Sequence, residues 1–217
     1  MINRWIINFD QISLFHIILC TLSAYLLGSI PFSFLLTKYI SKADIYHCGD
    51  GNPGAHNAWA IGGWKVGVPA IVLDVSKGAL PVLLAQQVSG IATWALLPVA
   101  IAPILGHAFS PFLHFHRAKA VATTLGVWFG LTGHFGIVAF AIFAISTMAW
   151  LEEDSWYVIF GMIGIAFYCL FITGSDWLTA IALCNLLLLL LTHHVELFQP
   201  IHVSNRIHKF MLKRRNS

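Results

Sequence analysis

The chain has 217 residues, of which 58% are hydrophobic and 10% charged, and its formal net charge is only +3. Soluble domains carry about 25% charged residues, so a soluble globular enzyme is excluded, nucleic acid is not an expected partner, and a multi-spanning membrane protein is indicated. One bilayer span takes about 20 apolar residues, which leaves room only for short connections within a single domain over residues 1–217.

The apolar run after Arg4 has no small-residue cleavage site and reads as an uncleaved span rather than a secretory signal. Span one is expected over residues 14–39, kinked by Gly28-Ser29-Ile30-Pro31, because proline removes one ladder hydrogen bond. Ser29 and Ser33 are placed to satisfy the freed carbonyl. A polar loop over 40–65 follows, centred on Gly49-Asp50-Gly51-Asn52-Pro53-Gly54-Ala55-His56-Asn57. Asn52 reads as the cap of a short helix with Pro53 at its first position. Such a helix start points free N–H groups and the positive dipole end at an anion. Gly62-Gly63 should end it. Span two, over 66–88, holds Asp74 and Lys77, three residues apart and therefore on one face. Charges at that depth are normally paired and turned inward, and they mark a functional hypothesis by default.

Span three, over 91–112, ends in Gly106-His107-Ala108-Phe109-Ser110-Pro111. Arg117 and Lys119 then sit just before the next helix, where positive charge opposes the dipole. They read either as membrane-edge anchors or as the two sides of an anion site. Residues 121–150 read as two short spans broken at Thr132-Gly133-His134, and Glu152-Glu153-Asp154 as a solvated acidic loop. Two further spans follow over 156–173 and 177–191, closed by His193-His194. The tail carries His202-Val203-Ser204-Asn205 and a basic cluster, read as a topology and lipid-surface anchor.

With seven spans, ten of the twelve Lys and Arg residues fall on one side, Arg4 and Lys77 being the exceptions. The positive-inside bias then puts the N-terminus outside and the C-terminus in the cytoplasm. The expected fold is an all-α, multi-pass transmembrane helical bundle of about seven spans. The polar loops would share its cytoplasmic side. The dispersed Cys20, Cys48, Cys169 and Cys184 suggest neither a zinc ribbon nor a disulfide framework.

This set of motifs resembles the bacterial membrane family of acyl-phosphate:glycerol-3-phosphate acyltransferases. The segment 25–36 with Gly28-Ser29-Ile30-Pro31 is similar to its first motif, and Gly49-x-Gly51-Asn52-Pro53-Gly54-Ala55-x-Asn57 to its second. Leu73-Asp74-Val75-x-Lys77-Gly78-Ala79-Leu80-Pro81-Val82 resembles its second span. Gly106-His107-x-Phe109 with Lys119-x-Val121-Ala122-Thr123 resembles the third motif, and His202-x-x-Asn205 the start of the C-terminal one. The chain departs from the pattern at Asp50 and His56, at Tyr46 and Ala60, where the family has arginine, and at His116-Arg117-Ala118-Lys119-Ala120, where it has a glycine-rich loop. Those changes should weaken a site for a doubly charged phosphate.

The resemblance implies transfer of a fatty acyl group from acyl phosphate to glycerol 3-phosphate, giving lysophosphatidate and phosphate. It implies a monomer in the cytoplasmic (inner) membrane bilayer that needs no cofactor or metal. His202, Asn205 and Ser29 are the implied catalytic residues. Asn52, Gly54, Asn57, Lys77, His107, Arg117, Lys119 and Thr123 are the implied substrate- and phosphate-binding residues. Two rival readings are a catalytically altered or inactive relative that binds lipid or a partner, and a histidine-rich metal or ion transporter.

Overall fold

The computed structural model describes residues 13–148, 150–151 and 153–199. The described residues are helical throughout, apart from turns and one isolated bridge. In chain order the helices are α1 (Leu14–Ser29), α2 (Phe32–Leu36), α3 (Ala55–Gly62), α4 (Trp64–Gln87), α5 (Leu96–Ala108), α6 (Val121–Thr132), α7 (His134–Met148), α8 (Asp154–Phe167), α9 (Asp176–Thr192) and the short α10 (His194–Leu197). Wider π turns extend α2 over Thr37–Ser41 and α8 over Tyr168–Thr173.

Among the described residues, three stretches are long and apolar enough to cross a membrane: Leu14–Ser41, Trp64–Gln87 and Asp154–Thr173. Four shorter apolar helices accompany them: Thr93–Ala108, Val121–Thr132, His134–Met148 and Asp176–Thr192. Large apolar side chains point outward along the bundle, among them Leu22, Val72, Ile142, Phe171 and Leu187. In water that surface would be costly, whereas lipid tails are as apolar as leucine. The 121–150 stretch does divide as expected, at Gly133, whose φ of +62° only glycine adopts without strain.

The Pro31 motif breaks the first span rather than bending it. α1 ends at Ser29, Ile30 is extended, and Pro31 caps α2. The freed carbonyls are satisfied from elsewhere in the chain: Ser110 Oγ in the loop after α5 donates to Ser29 O at 2.6 Å, and Lys77 Nζ on α4 to Ile30 O at 2.7 Å. Ser29 Oγ instead donates one turn back to Tyr25 O, and Ser33 Oγ donates to Asp74 at 2.6 Å.

Small residues set the tightest helix crossings, as expected where van der Waals packing drives association. α1 lies against α5, with Gly28 on the Pro103 backbone and Gly106 on Tyr25 O. α4 lies against α6, with Gly78 on Thr123 O and Gly126 on Val75 O. Trp128 and Asn185 join α6 to α9 in the core, Trp128 Nε1 donating to Asn185 Oδ1 at 3.0 Å. These contacts hold α4, α5, α6 and α9 together around the ends from which the polar loops emerge.

Candidate active site

The opening loop is knotted by Asn57. Its Nδ2 lies 2.9 Å from Cys48 O, 2.8 Å from Asp50 Oδ1 and 2.9 Å from Asn52 O. Gly49 and Gly51 sit at φ +55° and +72°, and a Cβ on Gly49 would meet Asn57 Oδ1 at 2.6 Å. The helix here begins two residues later than the Asn52-Pro53 signal suggests: Gly54 is the cap and Ala55 the first helical residue. Asn52 does not cap because its Oδ1 accepts the backbone N–H of Lys119 at 3.3 Å. Among the described residues, no hydrogen bond engages the N–H groups of Ala55, His56 or Asn57. The helix therefore keeps open donors at its positive end.

The second loop closes back on α5. Phe109 and Arg117 form an antiparallel bridge, and Ala118 N–H donates to Ala108 O at 2.9 Å. That hairpin throws Lys119 across to the opening loop. Its Nζ lies 2.7 Å from Asp50 Oδ2 and 3.1 Å from Glu196 Oε1 on α10. Burial by itself raises the Asp50 carboxyl. Hydrogen bonds from Lys119, the Asn52 N–H and Asn57, with the Lys119 charge, outweigh it and pull the pKa down to about 2. Burial likewise works to lower Lys119, but the hydrogen bonds and charges of Asp50 and Glu196 hold it above the ordinary lysine value.

These loops border a cavity of about 620 Å³. Asn52, Asn57, His107, Lys119 and His193 line its polar part, and Ile71, Leu125 and Val158 its apolar part. Asp74 also lines the cavity and is paired behind the wall with Lys77 at 2.8 Å, each side chain 1% exposed. His107 Nδ1 lies 3.8 Å from Asp74 and pairs with Thr123 Oγ1 at 3.0 Å.

Of the residues singled out from the sequence, Asn52, Gly54, Asn57, His107 and Lys119 line this cavity. Thr123 stands behind His107. Ser29 and Lys77 border a separate small cleft beneath it, which Asp74 and His107 also touch. Arg117 is not brought in: its Nη1 lies 2.7 Å from His194 Nδ1 on the exposed side. His202 and Asn205 lie outside the described residues. Of the expected solvated acidic loop, Asp154 is exposed and Glu153 half-buried, and both also line the cavity at the start of α8.

Sequence reasoning passed over His193, which is 1% exposed and lines the cavity. Its Nδ1 lies 2.9 Å from Leu189 O. A carbonyl only accepts, so Nδ1 carries the proton and Nε2 keeps the lone pair. Burial lowers the His193 pKa, with Lys119 and Arg117 acting in the same direction against the Leu189 bond and Glu196, and this keeps the ring neutral. The signal was the polar pair His193-x-x-Glu196 just past the leucine run of α9, at the spacing of one helical face.

A sequence model of the family described as glycerol-3-phosphate acyltransferase matches residues 18–201. The chain belongs to this family. The glycerol-3-phosphate acyltransferase of Syntrophotalea carbinolica is 35% identical over 184 residues, covering 83% of this chain and 90% of that one. Glycerol-3-phosphate acyltransferase 1 of Thermotoga maritima is 33% identical over 187 residues, covering 80% and 92%. The crystal structure of PlsY (YgiH), an integral membrane glycerol 3-phosphate acyltransferase, in its glycerol 3-phosphate form superposes with a TM-score of 0.76 at 29% identity, covering 89% of this chain and 98% of that one. Its lysophosphatidic acid form gives 0.73 at 31% identity, covering 83% and 89%. Fold and family thus agree: this is an integral membrane acyltransferase built as an all-helical bundle.

Proposed function

We propose that this acyltransferase moves a fatty acyl group from acyl phosphate to a hydroxyl of glycerol 3-phosphate. The observation that carries the reading is the meeting of two loops, 62 residues apart at Asn57 and Lys119, on one cavity that also has an apolar wall. In the reaction the hydroxyl oxygen attacks the acyl carbon, the bond from that carbon to the phosphate oxygen breaks, and an ester and inorganic phosphate result. An acyl phosphate is already activated, so the protein's work is to hold two anions side by side and stabilise the charge that develops. Lys119 and the open N–H groups of α3 hold phosphate. Asn57 fixes the shape of that loop, and Asn52 and Gly54 keep it against Lys119. His107, steadied by Thr123, lies deeper in the same cavity.

The hydroxyl proton leaves to the departing phosphate or to Nε2 of His193, a neutral imidazole being a competent base near neutral pH. Lys77 acts from below, closing the broken first span and neutralising Asp74, while Ser29 offers its carbonyl to Ser110 at the same break. The apolar wall of Ile71, Leu125 and Val158 takes the start of the acyl chain. The seven apolar segments cross the bilayer, with the cavity opening on the cytoplasmic side of the inner membrane, as the basic residues favour. His202 and Asn205, in the basic tail, remain candidates for contacting substrate.

Purified full-length protein supplied with acyl phosphate and glycerol 3-phosphate should release phosphate. Lys119→Ala should reduce that release by about a hundredfold or more, the scale of losing one charge-stabilising donor. Parallel His193→Ala and His202→Ala variants assign the base: the loss should fall on His193. Phosphate release undiminished in Lys119→Ala would overturn the reading. The Asp50 and Glu196 carboxylates on Lys119 favour one second reading, a relative with an altered acceptor. Acyl transfer to other alcohols but not to glycerol 3-phosphate would establish it.

A further inference from the structure

The anion-holding lysine is already occupied. Lys119 has three N–H donors, and carboxylates from two separate parts of the chain take up its ammonium, Asp50 at 2.7 Å and Glu196 at 3.1 Å. Among the described residues, Lys119 is the one ammonium on the cavity wall, against the carboxylates of Asp50, Asp74, Glu153, Asp154 and Glu196. Asp74 is neutralised from behind by Lys77. An arriving phosphate therefore meets a wall of its own sign, and it gains full access to Lys119 only if a carboxylate gives way.

The two carboxylates on Lys119 are held very differently. Asp50 is built into its loop, accepting the Asn52 N–H at 3.1 Å and Asn57 Nδ2 at 2.8 Å besides the lysine. Glu196 has Lys119 alone at Oε1, while its Oε2 is buried without a hydrogen-bond partner among the described residues. A buried, unsatisfied carboxylate oxygen is costly, so the resting position of Glu196 is the weaker of the two. Glu196 also sits on the four-residue helix α10, whereas Asp50 is tied to the base of α3.

We infer that Glu196 is a specificity-determining competitor: its carboxylate takes the anion position on Lys119, and phosphate-bearing substrate binds by displacing it. This rests on the reading of Lys119 as the phosphate holder. Glu196 thereby sets a charge threshold for entry. Weakly anionic ligands leave it in place, and dianions exchange with it. The residue takes no part in bond making, so its effect falls on binding.

The test uses the full-length protein in detergent micelles and two readouts. Binding of inorganic phosphate is followed by thermal shift, and KM and kcat are measured with acyl phosphate and glycerol 3-phosphate. Glu196→Gln keeps the size of the side chain and removes the charge. It should bind phosphate about tenfold more tightly than wild type, as expected for removing one adjacent like charge. KM for glycerol 3-phosphate should fall by a similar factor without loss of kcat. Glu196→Asp, which keeps the charge but shortens the reach to Lys119, should fall between, and it carries the test if the Gln variant does not fold. Phosphate binding equal to or weaker than wild type in both variants would overturn the inference, as would a loss of kcat at unchanged KM. Wild-type protein that binds phosphate but turns over no glycerol 3-phosphate would sink the activity reading instead, and the phosphate titration would still decide the role of Glu196.

Discussion

Among the described residues, two lysine–aspartate pairs have nearly equal length and opposite character. Asp74 and Lys77 meet at 2.8 Å within α4, and both are 1% exposed. Lys119 and Asp50 meet at 2.7 Å between two loops, and their side chains are 21% and 38% exposed. The first pair is closed. Its atoms are taken up by Ser33 Oγ, the Ile30 carbonyl and each other, and no substrate can enter without exposing a charge to the bundle interior. The second is open. It is shared with Glu196 and borders the cavity, and a partly exposed pair of this kind contributes little to stability. The difference teaches that an ion pair inside a helix can be a structural strut, while the same chemistry between loops is a binding site in waiting.

Breaking the closed pair should have the largest effect on stability. Lys77→Met leaves Asp74 buried and uncompensated, which costs about 3–5 kcal/mol. Thermal unfolding in detergent should register that as a large drop in Tm. A double variant that removes both charges should recover much of the loss, and failure to recover would mean that the lysine does more than neutralise.

The next effect comes from the crossing that frames the pair. A Cβ on Gly126 would collide with Val75 O, and one on Gly78 with Thr123 O. Gly126→Ala should therefore push α4 and α6 apart, costing about 1–3 kcal/mol and moving Thr123 away from His107. Activity should fall further than Tm predicts, and an unchanged enzyme would show that the site does not depend on this crossing.

The smallest effect belongs to the open pair, and it is a pH effect. The Asp50 carboxyl is held at about 2 in the folded protein, below its ordinary value of 3.8. Its contribution is fully present above the ordinary value and is lost as pH falls through the folded one. Tm should thus decline between about pH 4 and pH 2, and Asp50→Asn should flatten that part of the profile. Lys119 moves the other way, its contribution being present below the ordinary lysine value and lost only as pH rises past it. The loop clamp is therefore intact across the neutral range.

Much of this architecture was legible in the residues themselves. The apolar runs, the break at Gly133 and the three-residue spacing of Asp74 and Lys77 are local signals, set by helix period and backbone sterics. So was the nearness of the opening loop and the Lys119 loop, which their basic residues had put on one side. Less legible was every contact that joins distant segments. Asn52 reads as a helix cap from its neighbours alone, yet it serves the Lys119 backbone 67 residues away. Pro31 announces a disturbed helix, but not that Lys77 and Ser110 would satisfy the exposed carbonyls. Arg117 and Lys119 look equivalent in the chain, and only the hairpin made by Phe109 and Arg117 turns one to the cavity and the other to His194. His193 and Glu196 show no more than an ordinary polar span end until α9 packs and delivers them to the same wall.

The sequence by itself determined that the chain is a bundle of apolar helices of this acyltransferase family, because hydropathy, helix breakers and short motifs act over a few residues. Only the tertiary structure decided which charges are struts and which face a ligand, because that depends on which loops the packed glycines of α1, α4, α5 and α6 bring within hydrogen-bonding distance.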